Sequence, residues 1–210
     1  MTTKDKIIQA ALFLFNRFGF VNVRLQHIAD EAGLSVGNLA YHFKTKDDLI
    51  EHIYSKLVAE QQKLLADLRM IPLFINLDSH LKTSFEMQRH YSFFFTDTLE
   101  VMRSYPSIRR QHREHIGWQR IQIRLFIEFN VARGALLEPK DPDSFQRLAE
   151  RLILILDTWL SYEVMQGTLL KDIKSEEFKE AMWAILIPYF TTMGRAEYDQ
   201  MKSLPFDSLG

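Results

Sequence analysis

The chain has 210 residues, of which 47% are hydrophobic and 25% charged, a balance that suits a folded globular protein and excludes an intrinsically disordered one. It contains no cysteine, so disulfides, zinc–thiolate centres and iron–sulfur clusters are excluded, as suits a reducing cytoplasm. Net charge is −1, but its distribution is uneven: residues 1–46 hold six Lys/Arg against three Asp/Glu, while the remainder is acidic. An approaching polyanion would therefore meet the amino-terminal end.

Few glycines and prolines occur, and apolar residues recur at three-to-four spacing, which predicts an all-α protein. Lys4 and Lys6 before "IIQAALFLF" superficially resemble a secretory leader. Gln9 interrupts the run and no small-residue cleavage site follows, so a cytoplasmic protein is expected. No apolar run approaches the roughly 20 residues of a membrane span, so no membrane partner is expected. Thr2 and Asp5 make a capping box for a first helix that Gly19 ends. A second helix is predicted from Leu25 to Ala32, stopped by Gly33. Ser35 caps a short third helix to His42, and Thr45 with Asp48 opens a long fourth one. Beyond Pro72, helices are predicted near 73–89, 91–104, 107–133, 143–166 and 176–198. Pro106, Gly134, Pro139 and Asp141-Pro142 punctuate them, and Pro188 should kink the last.

Gly33-Leu34-Ser35-Val36-Gly37 matches two incompatible patterns. As G-x-S-x-G it would be the nucleophile elbow of a serine hydrolase, which requires a buried strand immediately before it. The preceding "LQHIADEA" instead has helical spacing, and no HGGG-type oxyanion loop exists. As a helix-turn-helix, the same residues place 36–42 on a short exposed helix able to enter a major groove.

The segment from about Lys6 to Ile53 resembles the tetracycline-repressor (TetR) family of bacterial transcription regulators. The resemblance is carried by Ala10-Ala11, Phe15, Gly19, Ile28-Ala29, Ala32-Gly33, Ser35, Gly37, Leu39, His42-Phe43, Lys46 and Leu49. It implies a DNA-reading domain at 1–46, a connecting helix at 47–70, and an effector-binding and dimerising domain at 71–210. Leu39 and Phe43 should face the core. Val36, Gly37, Asn38, Tyr41 and His42 are the candidates to meet duplex DNA, Asn38 pairing with adenine or bonding phosphate. Ser35, Lys44, Thr45 and Lys46 would set register on phosphates. Two departures stand out: Val23 and Arg24 where the family usually has Thr or Ser, and Ala40 where it usually has Tyr. Arg24 could contact phosphate by charge, and Tyr41 with His42 could replace the missing ring.

The resemblance also implies a homodimer on a palindromic operator and a small-molecule effector. Leu152, Leu156, Trp159 and Leu160, with Met182, Trp183, Leu186, Tyr189 and Phe190, form apolar faces on the last two predicted helices, and a partner subunit is their expected cover. For the effector, Tyr91, Phe94, Phe95, Trp118, Phe126 and Trp159 could line an aromatic cavity or be plain core. His115, Gln119 and Gln122 could orient a ligand or face water. No metal, cofactor or catalytic set is assigned: His112 and His115 lack further ligands, and no P-loop or dinucleotide fingerprint occurs. The expected function is repression by an effector-released DNA binder, not catalysis. The alternatives are a helical interaction module without DNA binding, and an all-helical enzyme.

Overall fold

The computed structural model describes residues 1–138, 140–141 and 143–203. Pro139 and Pro142, read above as punctuation, lie outside the described residues. Eleven α-helices form among the described residues: α1 (Thr3–Phe18), α2 (Leu25–Glu31), α3 (Val36–His42), α4 (Lys46–Met70), α5 (Phe74–His90), α6 (Ser92–Thr96), α7 (Thr98–Ser104), α8 (Pro106–Ala132), α9 (Ser144–Met165), α10 (Ser175–Leu186) and α11 (Thr192–Ser203). No helix is long and apolar enough to cross a membrane among these residues.

Local chemistry sets the first four helices. The Thr2 hydroxyl accepts from the Asp5 N–H at 3.1 Å while Asp5 accepts from the Thr2 N–H at 3.0 Å, closing a capping box. Thr45 and Asp48 repeat the arrangement at α4. Between α2 and α3 the chain must turn sharply, and Gly33 allows it by adopting φ +66°. The Gly33 N–H then bonds the Asp30 carbonyl at 3.1 Å and the Leu34 N–H bonds Ala29 at 2.9 Å, the Schellman pattern that closes a helix end.

α1 to α3 pack together as a head, and α4, about 37 Å long at 1.5 Å per residue, runs from it into a body built from α5 to α11. There α8 lies along α9, while α10 packs against α5 and α9.

Two predicted helices are each broken in two. The 91–104 segment divides at Asp97, because the Thr98 hydroxyl bonds back to the Phe94 carbonyl at 2.7 Å and Thr96 to Ser92, drawing carbonyls out of a continuous ladder. The 176–198 segment is not merely kinked. α10 stops at Leu186, Ile187–Tyr189 form a 3-10 turn around Pro188, and Phe190 is extended before α11. The Leu137 N–H on the Tyr189 carbonyl (2.7 Å) and the Thr191 N–H on Ala135 (3.1 Å) hold the break open.

Candidate nucleic-acid interface and ligand cavity

The α2–α3 pair answers the question posed by Gly33–Gly37. Residues 25–31 before the turn are helical, with no strand, and the Ser35 hydroxyl is engaged as a helix cap, accepting from the Asn38 N–H at 3.1 Å. Both features contradict a nucleophile elbow.

Leu39 is 0% exposed and Phe43 is buried, so α3 is anchored along one side. Its other side carries Val36, Gly37, Asn38 and Tyr41 to solvent, with Tyr41 85% exposed and the half-buried His42 set edge-on against it at 5.2 Å. Arg24, at the start of α2, and Lys44, two residues past α3, are exposed, as are Ser35 and Thr45. Val23 is buried, so it fills the core at a position where a hydroxyl was expected to face phosphate. In its absence, His27 Nδ1 accepts the Arg24 N–H at 3.3 Å and closes the start of α2. The R-x-x-H spacing was the available signal for this cap.

Lys46 departs from expectation. Its ammonium turns inward, donating to the Phe20 carbonyl and lying over the Phe15 and Phe20 rings at 5.9 and 5.7 Å. Burial holds its pKa below the ordinary lysine value, with Asp47 pulling the other way. It therefore staples α4 to the head and is not free for a phosphate. Lys46→Ala is expected to cost about 1–2 kcal/mol of stability and leave the salt dependence of DNA binding unchanged. Lys44→Ala should keep stability and flatten that dependence. Chemical melts and titrations at several salt concentrations check both.

The predicted aromatic cavity also lies elsewhere. Tyr91, Phe94 and Phe95 are buried in a joint between head and body. Neighbouring Phe93 packs tilted against Phe15 at 5.3 Å, and Phe94 meets Tyr54 at 5.1 Å and His112 at 5.4 Å. Asn16 of α1 clamps the same joint, donating to the His90 carbonyl and accepting from the Phe93 N–H, both at 2.9 Å. Tyr91 donates to Glu60 at 2.8 Å.

A cavity of about 260 Å³ opens instead between α4, α5, α8, α9 and α10. Of the residues predicted to hold a ligand, Gln122 and Phe126 line it. His115 and Gln119 continue the same α8 stripe away from it, buried, with both His115 ring nitrogens and Gln119 Oε1 lacking partners in the structure. Trp118 stacks on His115 at 5.7 Å, and Trp159 packs on Phe178 at 6.3 Å. Sequence reasoning missed Arg69, His80, Leu81 and the other walls contributed by α4 and α5.

The apolar faces expected to meet a second subunit are largely buried within the chain. Leu152, Leu156, Met182 and Leu186 line the cavity, Leu160 and Trp183 are buried, and Trp159, Tyr189 and Phe190 are half-buried. Trp183 is enclosed by Phe74, Phe190 and Tyr198. Periodicity correctly grouped these residues, but the chain's own helices cover them.

The buried histidines give the body a pH signature. Burial pushes His80, His112 and His115 each down to about 4, and Asp157 up to about 7. The Leu64 carbonyl opposes the His80 shift, and His112 adds to that of His115. Between pH 6.5 and 4 the unfolded chain takes up protons on three histidines that the folded chain refuses, so stability falls with pH. Asp157 and Asp97 act oppositely, burial holding the proton on each in the folded state, while burial of His52 adds to the histidine effect. Near pH 5 the net slope should be about 2 kcal/mol per pH unit. His112→Gln should reduce it in melts run from pH 7 to 4.5.

The sequence pattern described as "Bacterial regulatory proteins, tetR family" matches residues 7–53, and that described as "Bacterial transcriptional repressor" matches residues 50–198. The chain belongs to the TetR family. Among relatives, the probable HTH-type transcriptional regulator YttP of Bacillus subtilis is 40% identical over 65 residues, 31% of each chain. The HTH-type transcriptional regulator RutR of Escherichia coli is 33% identical over 107 residues, 51% of this chain and 44% of RutR. The matches thus span less than half the length of either relative. A TetR-family regulator from Marinobacter aquaeolei superposes with a TM-score of 0.82 at 24% identity, covering 96% of this chain and 98% of that one. A gamma-butyrolactone receptor superposes with a TM-score of 0.66 at 21% identity, covering 95% and 94%. These two likenesses concern the fold. The TetR match extends across head and body alike.

Proposed function

We propose that this TetR-family chain is a cytoplasmic transcriptional repressor, binding a palindromic operator as a homodimer and released by a small molecule. Residues 1–46 read DNA, 47–70 connect, and 71–210 sense the effector and pair the subunits. The observation that carries the reading is α3: anchored by Leu39 and Phe43, it leaves Val36, Gly37, Asn38 and Tyr41 on an open face, with the exposed cations Arg24 at the start of α2 and Lys44 just past α3.

Pairing falls to the outward side of α9, where Leu154, Tyr162 and Met165 are 63%, 51% and 77% exposed around Thr158. Unlike the buried stripe, this one is left uncovered by the other described residues, and an apolar helical stripe of this kind suits a two-fold contact. The cavity is the effector site. It touches Leu65, Leu68 and Arg69 near the end of α4, whose other end follows α3 after a three-residue linker. A ligand that prefers one tilt of α4 shifts the population of DNA-competent dimers. The fold elsewhere serves a gamma-butyrolactone receptor, consistent with a small-molecule role for the body.

Titration of a labelled duplex from upstream of the protein's own gene tests the reading. With Arg24 and Lys44 on each of two heads, about four phosphates are neutralised, so raising salt from roughly 50 to 200 mM should weaken binding about a hundredfold. No specific binding at either salt concentration would leave the interaction-module alternative.

A further inference from the structure

We propose that the cavity accepts an amphiphilic monoanion, an apolar chain ending in a carboxylate, with Arg69 and Gln122 as the cradle for the carboxylate. The inference rests on the effector reading above and names the chemistry of its ligand.

The walls set the chain. Leu65, Leu81, Phe126, Leu152, Leu156 and Met182 present hydrocarbon, and a volume of 260 Å³ holds about nine heavy atoms at roughly 30 Å³ per water-sized group. Charge sets the head. Among the described residues, Arg69 is the sole permanently ionised side chain lining the cavity and no carboxylate lines it, so a cationic ligand would find no counter-ion there. His80, the other titratable lining group, is kept neutral by burial.

Arg69 is exposed and stands at the rim, where its Nη1 donates to Gln122 Oε1 at 2.9 Å. That bond joins a cation to a neutral amide. A ligand carboxylate offers the guanidinium a charge-assisted and bidentate partner instead, and the freed Gln122 amide can turn its Nε2–H toward the same oxygens. A neutral alcohol would have to break the Arg69–Gln122 bond without gaining that charge pairing. The exchange also transmits the event: Arg69 lies in the last turn of α4 and Gln122 on α8, so moving the guanidinium from one to the ligand loosens a direct tie between these helices.

Calorimetric titration of the full chain with decanoate, 1-decanol and decylamine, each below its micellar concentration, tests the proposal. Decanoate should bind saturably, decanol about tenfold or more weakly, and decylamine not at all. Arg69→Gln should cost decanoate about tenfold and abolish its preference over decanol, while the chain stays folded and loses no more than the stability of one exposed hydrogen bond between α4 and α8. Equal affinity for decanoate and decanol, or wild-type decanoate binding by Arg69→Gln, would overturn the anionic head. Leu125→Trp, which adds bulk at the half-open wall, separates the two readings. Decanol binding blocked by Leu125→Trp, without any preference for decanoate, keeps the effector cavity and rejects the anion. Failure of every probe to bind rejects both.

Discussion

Asp78→Ala should lower the unfolding free energy by about 3–5 kcal/mol, the range for removing one partner from a buried ion pair. Asp78 on α5 receives two groups from α10: the Lys179 ammonium at 2.6 Å and the Trp183 indole N–H at 2.9 Å. The Lys179 side chain is only 2% exposed, so the substitution takes the carboxylate from a charge that water cannot reach. Asp78→Asn should lose less, because the amide oxygen still accepts from Trp183. Urea melts of the three proteins measure the series. A loss below about 1 kcal/mol for the alanine variant would show that the pair does not tie α5 to α10.

Gly194→Ala should be nearly as costly, for a steric reason. A Cβ on Gly194 would stand 2.1 Å from the Ala135 carbonyl oxygen and 3.0 Å from its carbon, and both are backbone atoms. The obstacle cannot easily retreat, since that carbonyl accepts from the Thr191 N–H and Leu136 pairs with Phe190 in an antiparallel bridge. Overpacking against fixed backbone costs about 3 kcal/mol, which for a chain of this size lowers the melting temperature by roughly 6–12 °C. An unchanged melting temperature would mean that α11 is not seated against the 135–137 loop as described.

The parts of the fold that local chemistry determines were legible in the sequence. Thr2–Asp5, Thr45–Asp48 and the Gly33 turn each need only their neighbours, and they delimit the head. The anchoring of α3 by Leu39 and Phe43 also followed from spacing. What spacing leaves open is the cover on each face. Leu152 and Leu156 share a stripe whether a partner subunit or α10 lies over it, and in the folded chain they wall a cavity. Tyr91, Phe94 and Phe95 are aromatic in either setting, yet Glu60 and Tyr54 of α4, with Phe15 and Asn16 of α1 on neighbouring Phe93, place them in a joint. Lys46 reads as a surface charge until the Phe20 carbonyl, 26 residues earlier, is brought within its reach. Pro188 permits either a kink or a break, and pairing of Leu137 with Tyr189 decides for the break.

In the proposed reading the outward side of α3 meets DNA bases. The most direct measurement is the affinity of the Asn38→Ala, Tyr41→Ala double variant for the protein's own operator, compared with scrambled duplex. Both side chains are exposed, so the variant should melt like the wild-type chain while its preference for operator collapses to the scrambled level. Undiminished discrimination by a folded double variant would contradict the account.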